Sequence, residues 1–230
     1  MIEFERVSVT LGDFRLAADF AIRPGARVAV IGPSGSGKST LLSLIAGFLR
    51  PDQGTVRWEG RDLAPTPPGQ RPVSILFQDQ NLFPHLTVAQ NVGLGLRPDL
   101  RLSRDQKAAI AGALSRVGLS GMDSRRPAQL SGGQQSRVAL ARVLLRARPI
   151  LLLDEPFGAL GPALKTEMLA LLAQIAQETG ATVLMVTHDP DDARSFAPET
   201  VLVEGGIAHP PQPTAPLLDD PPPALRDYLG

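Results

Sequence analysis

Apolar residues along the chain fall into two kinds of pattern, and each predicts a different element. Arg27–Ile31 (RVAVI), Val73–Phe77, Ile150–Leu153 and Thr182–Thr187 are short runs rich in β-branched and aliphatic residues, the composition of strands buried on both faces of a parallel sheet. Other stretches carry the helical period. Ser39–Leu49 sets Leu41, Leu42, Ile45 and Leu49 on one side, and Asp105–Val117 and Gln134–Ala147 are patterned likewise. Pro162 opens a further helix, with Leu169, Leu172, Ile175 and Ala176 on its apolar side and Gly180 as its stop. Strands alternating with helices predict a layered α/β core. Val201–Glu204, ahead of Gly205-Gly206, reads as an edge strand with a hairpin.

Between the runs at Val73 and Ile150 lie about seventy residues with helical patterns and no strong strand signal. They predict a helical lobe inserted into the core. The expected organisation is one domain: a core over about 1–79 and 150–208, the lobe over about 80–149, and a Pro-rich tail over 209–230. His209–Pro223 holds seven Pro and is expected to be extended, poorly ordered or surface-clinging.

Composition narrows this picture mainly by exclusion. Lys plus Arg and Asp plus Glu balance at 23 each in 230 residues, so no overall field argues for a nucleic-acid partner. Only three of the 23 basic residues are Lys (Lys38, Lys107, Lys165), and the Arg form no stripe with interleaved aromatics. With no Cys in the chain, disulfides, thiolate metal sites and a Cys nucleophile are excluded, which fits a reducing compartment. The acidic start MIEFERVSVTLGDF has none of the features of a signal peptide. The apolar runs fall well short of the roughly 20 residues that span a bilayer, so any membrane link is expected to run through a partner.

The chemistry begins at Gly32–Thr40 (GPSGSGKST). Gly32, Gly37, Lys38 and Ser39 fit the P-loop pattern, in which glycines let successive N–H groups curl round phosphates at a helix N-terminus. At this chain's own residue frequencies the pattern arises by accident in roughly three chains per thousand, and its place between a strand and a helix makes chance rarer still. Pro33, Ser34, Gly35, Ser36 and Thr40 complete the nucleotide-binding loop. Lys38 is expected on the β and γ phosphates, and Ser39 on Mg²⁺, which takes oxygen ligands. Asp154 and Glu155 end an apolar strand, where carboxylates reach the crevice at the C-terminal rim of a parallel sheet. Asp154 is the expected Mg²⁺-site carboxylate, acting through water, and Glu155 the base or water-polarising group. Ser131, Gly132 and Gly133 before a helix make a second anion site, one without its own Lys.

With LSGGQ standing unaltered at Leu130–Gln134, after the P-loop and before the Asp-Glu strand, the chain resembles the ATP-binding subunits of ABC transporters over nearly its whole length. The resemblance implies a P-loop NTPase of the ABC type, α/β, with a parallel sheet core, an N-terminal antiparallel β part and the inserted helical lobe. It implies a homodimer packed head to tail, in which Ser131, Gly132, Gly133 and Gln134 of one subunit close over the ATP held by the other. It makes Gln78 (LFQDQ) the glutamine that senses magnesium, attacking water and the membrane subunit, and His188 (VTHD) the switch histidine on the γ-phosphate. A membrane permease, and through it a periplasmic solute-binding protein, follow as partners at the cytoplasmic face of a bacterial inner membrane. Arg71–Leu102 and FLRPDQG at Phe48–Gly54 look most like the ATP-binding subunits of thiamine importers. Iron(III), polyamine and sulfate-type importers have similar subunits. ABC ATPases of translation or DNA repair usually carry two ATPase domains or a long coiled coil, and neither is visible here. Three positions depart from the family pattern: Gly161 stands where Asp is usual, Leu11 fills the slot of an adenine-stacking aromatic, with Phe14 three residues on, and Ser136 replaces a longer polar residue.

Overall fold

The computed structural model describes residues 1–77, 81–223 and 225–226. Strands β1 (Ile2–Leu11), β2 (Phe14–Ile22) and β3 (Arg27–Ile31) lead into helix α1 (Lys38–Ala46). After β4 (Gln53–Trp58), β5 (Arg61–Asp62) and β6 (Val73–Leu76) come three helices, α2 (Val88–Gly93), α3 (Arg104–Arg116) and α4 (Gly132–Arg146). The chain then runs through β7 (Ile150–Asp154), α5 (Pro162–Thr179), β8 (Thr182–Val186), α6 (Pro190–Phe196), β9 (Glu199–Glu204), β10 (Ile207–Ala208), β11 (Gln212–Pro213) and α7 (Thr214–Asp219).

The parallel core, in the order β9-β3-β8-β7-β6, shows why its strands read as unbroken apolar runs. Val28, Val30, Ile150, Leu152, Leu184 and Val186 point into one cluster with α1 and the antiparallel strands. Their neighbours Ala29, Ile31, Leu151, Leu153, Val183 and Met185 point into another with α5 and α6. Both faces are covered, so these strands are mostly apolar, with Ser74, Thr182 and Thr200 as buried polar exceptions. The antiparallel part, β5-β4-β1-β2, continues the same sheet through β10. Phe4, Leu16 and Trp58 lie on its buried face, over α1.

Helices α2, α3 and α4 form the inserted lobe around Val88, Val92, Ile110, Leu114 and Val138. Each starts with a reciprocal capping box: Thr87 with Gln90, Ser103 with Gln106, Ser131 with Gln134. Helix α4 belongs to both bodies, since Ala139, Leu140 and Val143 on its other side pack into the core cluster of α5.

Three expectations change. Val201–Glu204 lies inside a longer strand, β9, that is internal rather than an edge, with β3 parallel on one side and β10 and β11 antiparallel on the other; the hairpin through Gly205-Gly206 stands. Helix α4 begins at Gly132 rather than Gln134 because the Ser131 cap nucleates it two residues earlier. Helix α1 stops at Ala46, short of Leu49, because Gly47 takes φ +86 and its N–H closes on Ser43 O. Among its described residues the tail lies against the core: β11 pairs with β9, and Leu217, Leu218 and Leu225 are buried. Thr214 anchors it, donating to Ala197 O at 2.6 Å.

Candidate functional site

Register brings the chemistry to one edge. Val30 pairs with Val186, and Val186 with Asp154, so β3, β7 and β8 end side by side at the C-terminal rim of the sheet. The segments leaving that rim are the loop Gly32–Gly37, the Glu155 turn and the Thr187–Asp189 turn.

The loop is shaped by close approaches that only glycine allows. At Gly32 (φ +149) a Cβ would sit 2.0 Å from Val203 O, and at Gly37 (φ +109) it would lie 2.7 Å from the ring of Phe14. Phe14 therefore backs the loop, whereas Leu11 is exposed at the end of β1. Lys38 is buried, and its Nζ donates to Gly32 O at 2.7 Å and Pro33 O at 2.8 Å. Burial pulls its ammonium below the ordinary value, and the negative charges of Glu155 and Asp154 pull it back up. The Ser36 hydroxyl is also buried, and its oxygen has no hydrogen-bond partner. A curl of backbone around a shielded cation and an unsatisfied hydroxyl fits a polyphosphate.

Ser39 Oγ donates to Asp154 Oδ1 at 3.3 Å. Burial raises the Asp154 pKa, the Ser39 hydrogen bond opposes that, and Glu155 adds to the rise. A carboxylate held under that strain gains from a neighbouring cation. The pair of hard oxygens fits Mg²⁺, completed by phosphate and water oxygens; among the described residues no cluster of three His, Cys, Asp or Glu exists that could cage a metal on its own. Glu155 sits at φ +46, a left-handed conformation uncommon for a residue with a side chain. Its N–H donates to Val186 O at 3.1 Å, and its Oε2 lies 3.2 Å from His188 Nδ1. The turn at the strand end thus swings Glu155 away from the sheet and against the histidine.

Lys38, Ser39, Asp154, Glu155 and His188 are brought together; Ser131–Gln134 lie elsewhere, on the lobe at the N-terminus of α4. Ser131 and Gly132 are exposed, and Gly133 is covered by Leu164, whose Cδ2 would be 2.1 Å from a Cβ there. Gln78 lies outside the described residues. Two features escaped the sequence reading. Arg71 is a buried guanidinium donating to Leu44 O and Ile45 O at 2.8 Å and to Thr66 O at 2.9 Å, which caps the C-terminus of α1. Lys165 binds Asp189 and Asp192 beside the His188 turn; the rarity of Lys in the chain was the one available signal.

Comparison with known proteins agrees with this geometry. The family pattern described as ABC transporter matches residues 17–158. Among solved structures, the chain is similar to the dimeric MJ0796, a bacterial ABC transporter cassette, with a TM-score of 0.79 and 31% identity, covering 93% of this chain and 99% of that one. A second structure of MJ0796, a post-hydrolysis state bound to ADP and Pi, gives a TM-score of 0.78 over the same shares of both chains. The fold and site define an ATP-binding cassette, and the chain belongs to the ABC transporter family. Within that family it is 65% identical, over 100% of both chains, to the thiamine import ATP-binding protein ThiQ of Cereibacter sphaeroides. It is 57% identical to the protein of that name from Ruegeria sp., again over 100% of both. With the Yersinia pseudotuberculosis protein it shares 51% identity over 95% of this chain and 93% of that one. Among the described residues, no helix is long and apolar enough to cross a membrane.

Proposed function

We propose that this chain is the ATP-hydrolysing, energy-coupling subunit of a bacterial thiamine importer, working as a homodimer on a membrane permease at the cytoplasmic face of the inner membrane. A periplasmic solute-binding protein would deliver cargo to the permease. The observation that carries the ATPase reading is the convergence of Lys38, Ser39, Asp154, Glu155 and His188 on one rim of the sheet. Full-length likeness to proteins named for thiamine import carries the cargo.

In this reading Gly32–Thr40 wrap the phosphates, and Lys38 leaves its two loop carbonyls for the β and γ oxygens. Ser39, Gln78 and, through water, Asp154 would hold Mg²⁺, which would supply charge neutralisation on the phosphates. Glu155 accepts a hydrogen bond from the attacking water and orients it, and His188, fixed at 3.2 Å from that carboxylate, holds the water and the γ-phosphate in register. Ser131, Gly132, Gly133 and Gln134 cover the nucleotide of the partner subunit. Hydrolysis reopens the dimer and the permease converts that motion into alternating access. Uptake of labelled thiamine at low concentration in a strain lacking this chain tests the assignment. Loss of uptake, restored by the intact chain and not by Glu155→Gln, is expected; normal uptake would remove thiamine as the cargo.

A further inference from the structure

His188 is 58% exposed at its side chain, and its neighbours Thr187 and Asp189 are both tied into a network around the Lys165 ammonium. Lys165 Nζ donates to Asp189 Oδ2 at 2.6 Å and lies 3.0 Å from Asp192 Oδ1. Thr187 Oγ1 donates to Asp192 Oδ2 at 3.0 Å and accepts from Asp189 N at 3.1 Å. Lys165 and Asp192 are only 16% and 15% exposed at their side chains, so water screens this pair far less than a surface pair. The two carboxylates meet one nitrogen, and without it they repel each other inside the turn.

Lys165 also stands on α5, which begins just after the segment Pro156–Gly161 that leaves Glu155. One short stretch of chain therefore fixes the carboxylate at one end and grips the histidine turn at the other. We propose that Lys165 is a positioning residue that, by clamping Asp189 and Asp192, holds His188 against Glu155 in the geometry hydrolysis needs. This rests on the reading of Glu155 and His188 as the hydrolytic pair. Although burial disfavours its charge, the bonds to Asp189 and Asp192 raise the Lys165 pKa, so the clamp stays cationic at neutral pH.

Steady-state ATPase and equilibrium ATP binding on the full chain, for Lys165→Met, Lys165→Arg, His188→Ala and the double variant, test the clamp. Misplacement by about an ångström can cost about 10²-fold in rate, so Lys165→Met is expected to lower kcat by about tenfold or more. ATP affinity should stay within about twofold, because the loop 32–40 that wraps the phosphates lies outside the clamp. Lys165→Arg should recover most of the rate, and on the His188→Ala background Lys165→Met should add less than about twofold. Asp192→Asn, which keeps an acceptor for Thr187, is a second probe if the methionine variant does not fold, and its kcat should fall in the same direction. Wild-type kcat in Lys165→Met or Asp192→Asn alongside an impaired His188→Ala overturns the clamp alone. A full additional loss in the double variant overturns it as well, since that is the mark of a purely structural pair. Wild-type turnover in His188→Ala overturns instead the reading on which it rests.

Discussion

The N-termini of α1 and α4 are built differently. At α1 the glycines of the loop bend the backbone inward, the helix starts from a left-handed Gly37, and a buried Lys38 stands at its first position. At α4 the start is polar and open: Ser131 Oγ accepts from Gln134 N at 3.3 Å, and Gln134 Oε1 accepts from Ser131 N at 3.1 Å. The first end encloses and neutralises. The second commits donors to its own cap, carries no cation and faces outward, so it can close a site and cannot constitute one. On the proposed function this is a division of labour: α1 would supply the affinity, and α4 would contribute when a second copy presents bound phosphate to it.

The largest expected effect separates holding from hydrolysing. Glu155→Gln keeps the shape of the turn and removes the carboxylate, so kcat should fall by about 10²–10⁴ while ATP stays bound at α1. A dimer joined through the α4 turns should then accumulate with ATP, measurable by sedimentation. Turnover at the normal rate would falsify the role of Glu155, and a monomer that holds ATP without closing would break the division itself.

Much of this comparison was legible in the sequence, for physical reasons. Gly32–Thr40 is a local motif whose glycine spacing is dictated by the curl it makes, and the parallel strands betray themselves because both faces are buried. The pair Asp154-Glu155 was readable because it ends such a strand. What could not be read depends on residues far apart in sequence. Lys165 meets Asp189 and Asp192 at separations of 24 and 27 residues, and Arg71 reaches back 27 residues to Leu44. Nothing in the pattern of Val201–Glu204 says that β10 and β11 will cover it. Helix α2 is only six residues long, too short for a period, although its Thr87 and Gln90 capping box was there to be seen.

The next effect comes from the far end of α1. The last carbonyls of the helix need partners: Ser43 O takes the N–H groups of Gly47 and Phe48, and Arg71 takes Leu44 O and Ile45 O. Helix α4 ends instead on a left-handed Ala147 whose N–H closes on Leu144 O at 3.0 Å. Arg71→Met leaves two buried carbonyls and one part-buried carbonyl without the guanidinium and should cost about 2–3 kcal/mol in denaturant unfolding. A cost below about 0.5 kcal/mol would show that water replaces the guanidinium and that the two helix ends are equivalent.

The signature turn has its own internal contrast. A Cβ at Gly132 meets nothing within 4 Å, whereas one at Gly133 meets Leu164 at 2.1 Å. Gly133→Ala should therefore lower stability by about 1–2 kcal/mol as Leu164 is displaced, and Gly132→Ala should stay within about 0.5 kcal/mol of the parent. Equal melts would mean that α5 does not brace the turn.

The smallest effect concerns a third N-terminus, that of α5, which has no capping side chain. Gly161 is its N-cap, at φ −64 and ψ 156, and no side chain accepts from the first turn. Nothing lies within 4 Å of a Cβ there, and its φ suits any residue, so Gly161→Asp should enter without strain. A carboxylate would accept from the free amides and complement the helix dipole, and the unfolded chain would lose freedom, for a gain of about 0.5–1 kcal/mol. If capping is all that position does, the melt rises and the ATP dependence of turnover is unchanged. If the segment Pro156–Gly161 also lies across the dimer, the same substitution changes the cooperativity of ATPase activity with ATP concentration. The variant thus asks whether α5 is a support for its own site, as Lys165 makes it, or also a third surface toward the partner.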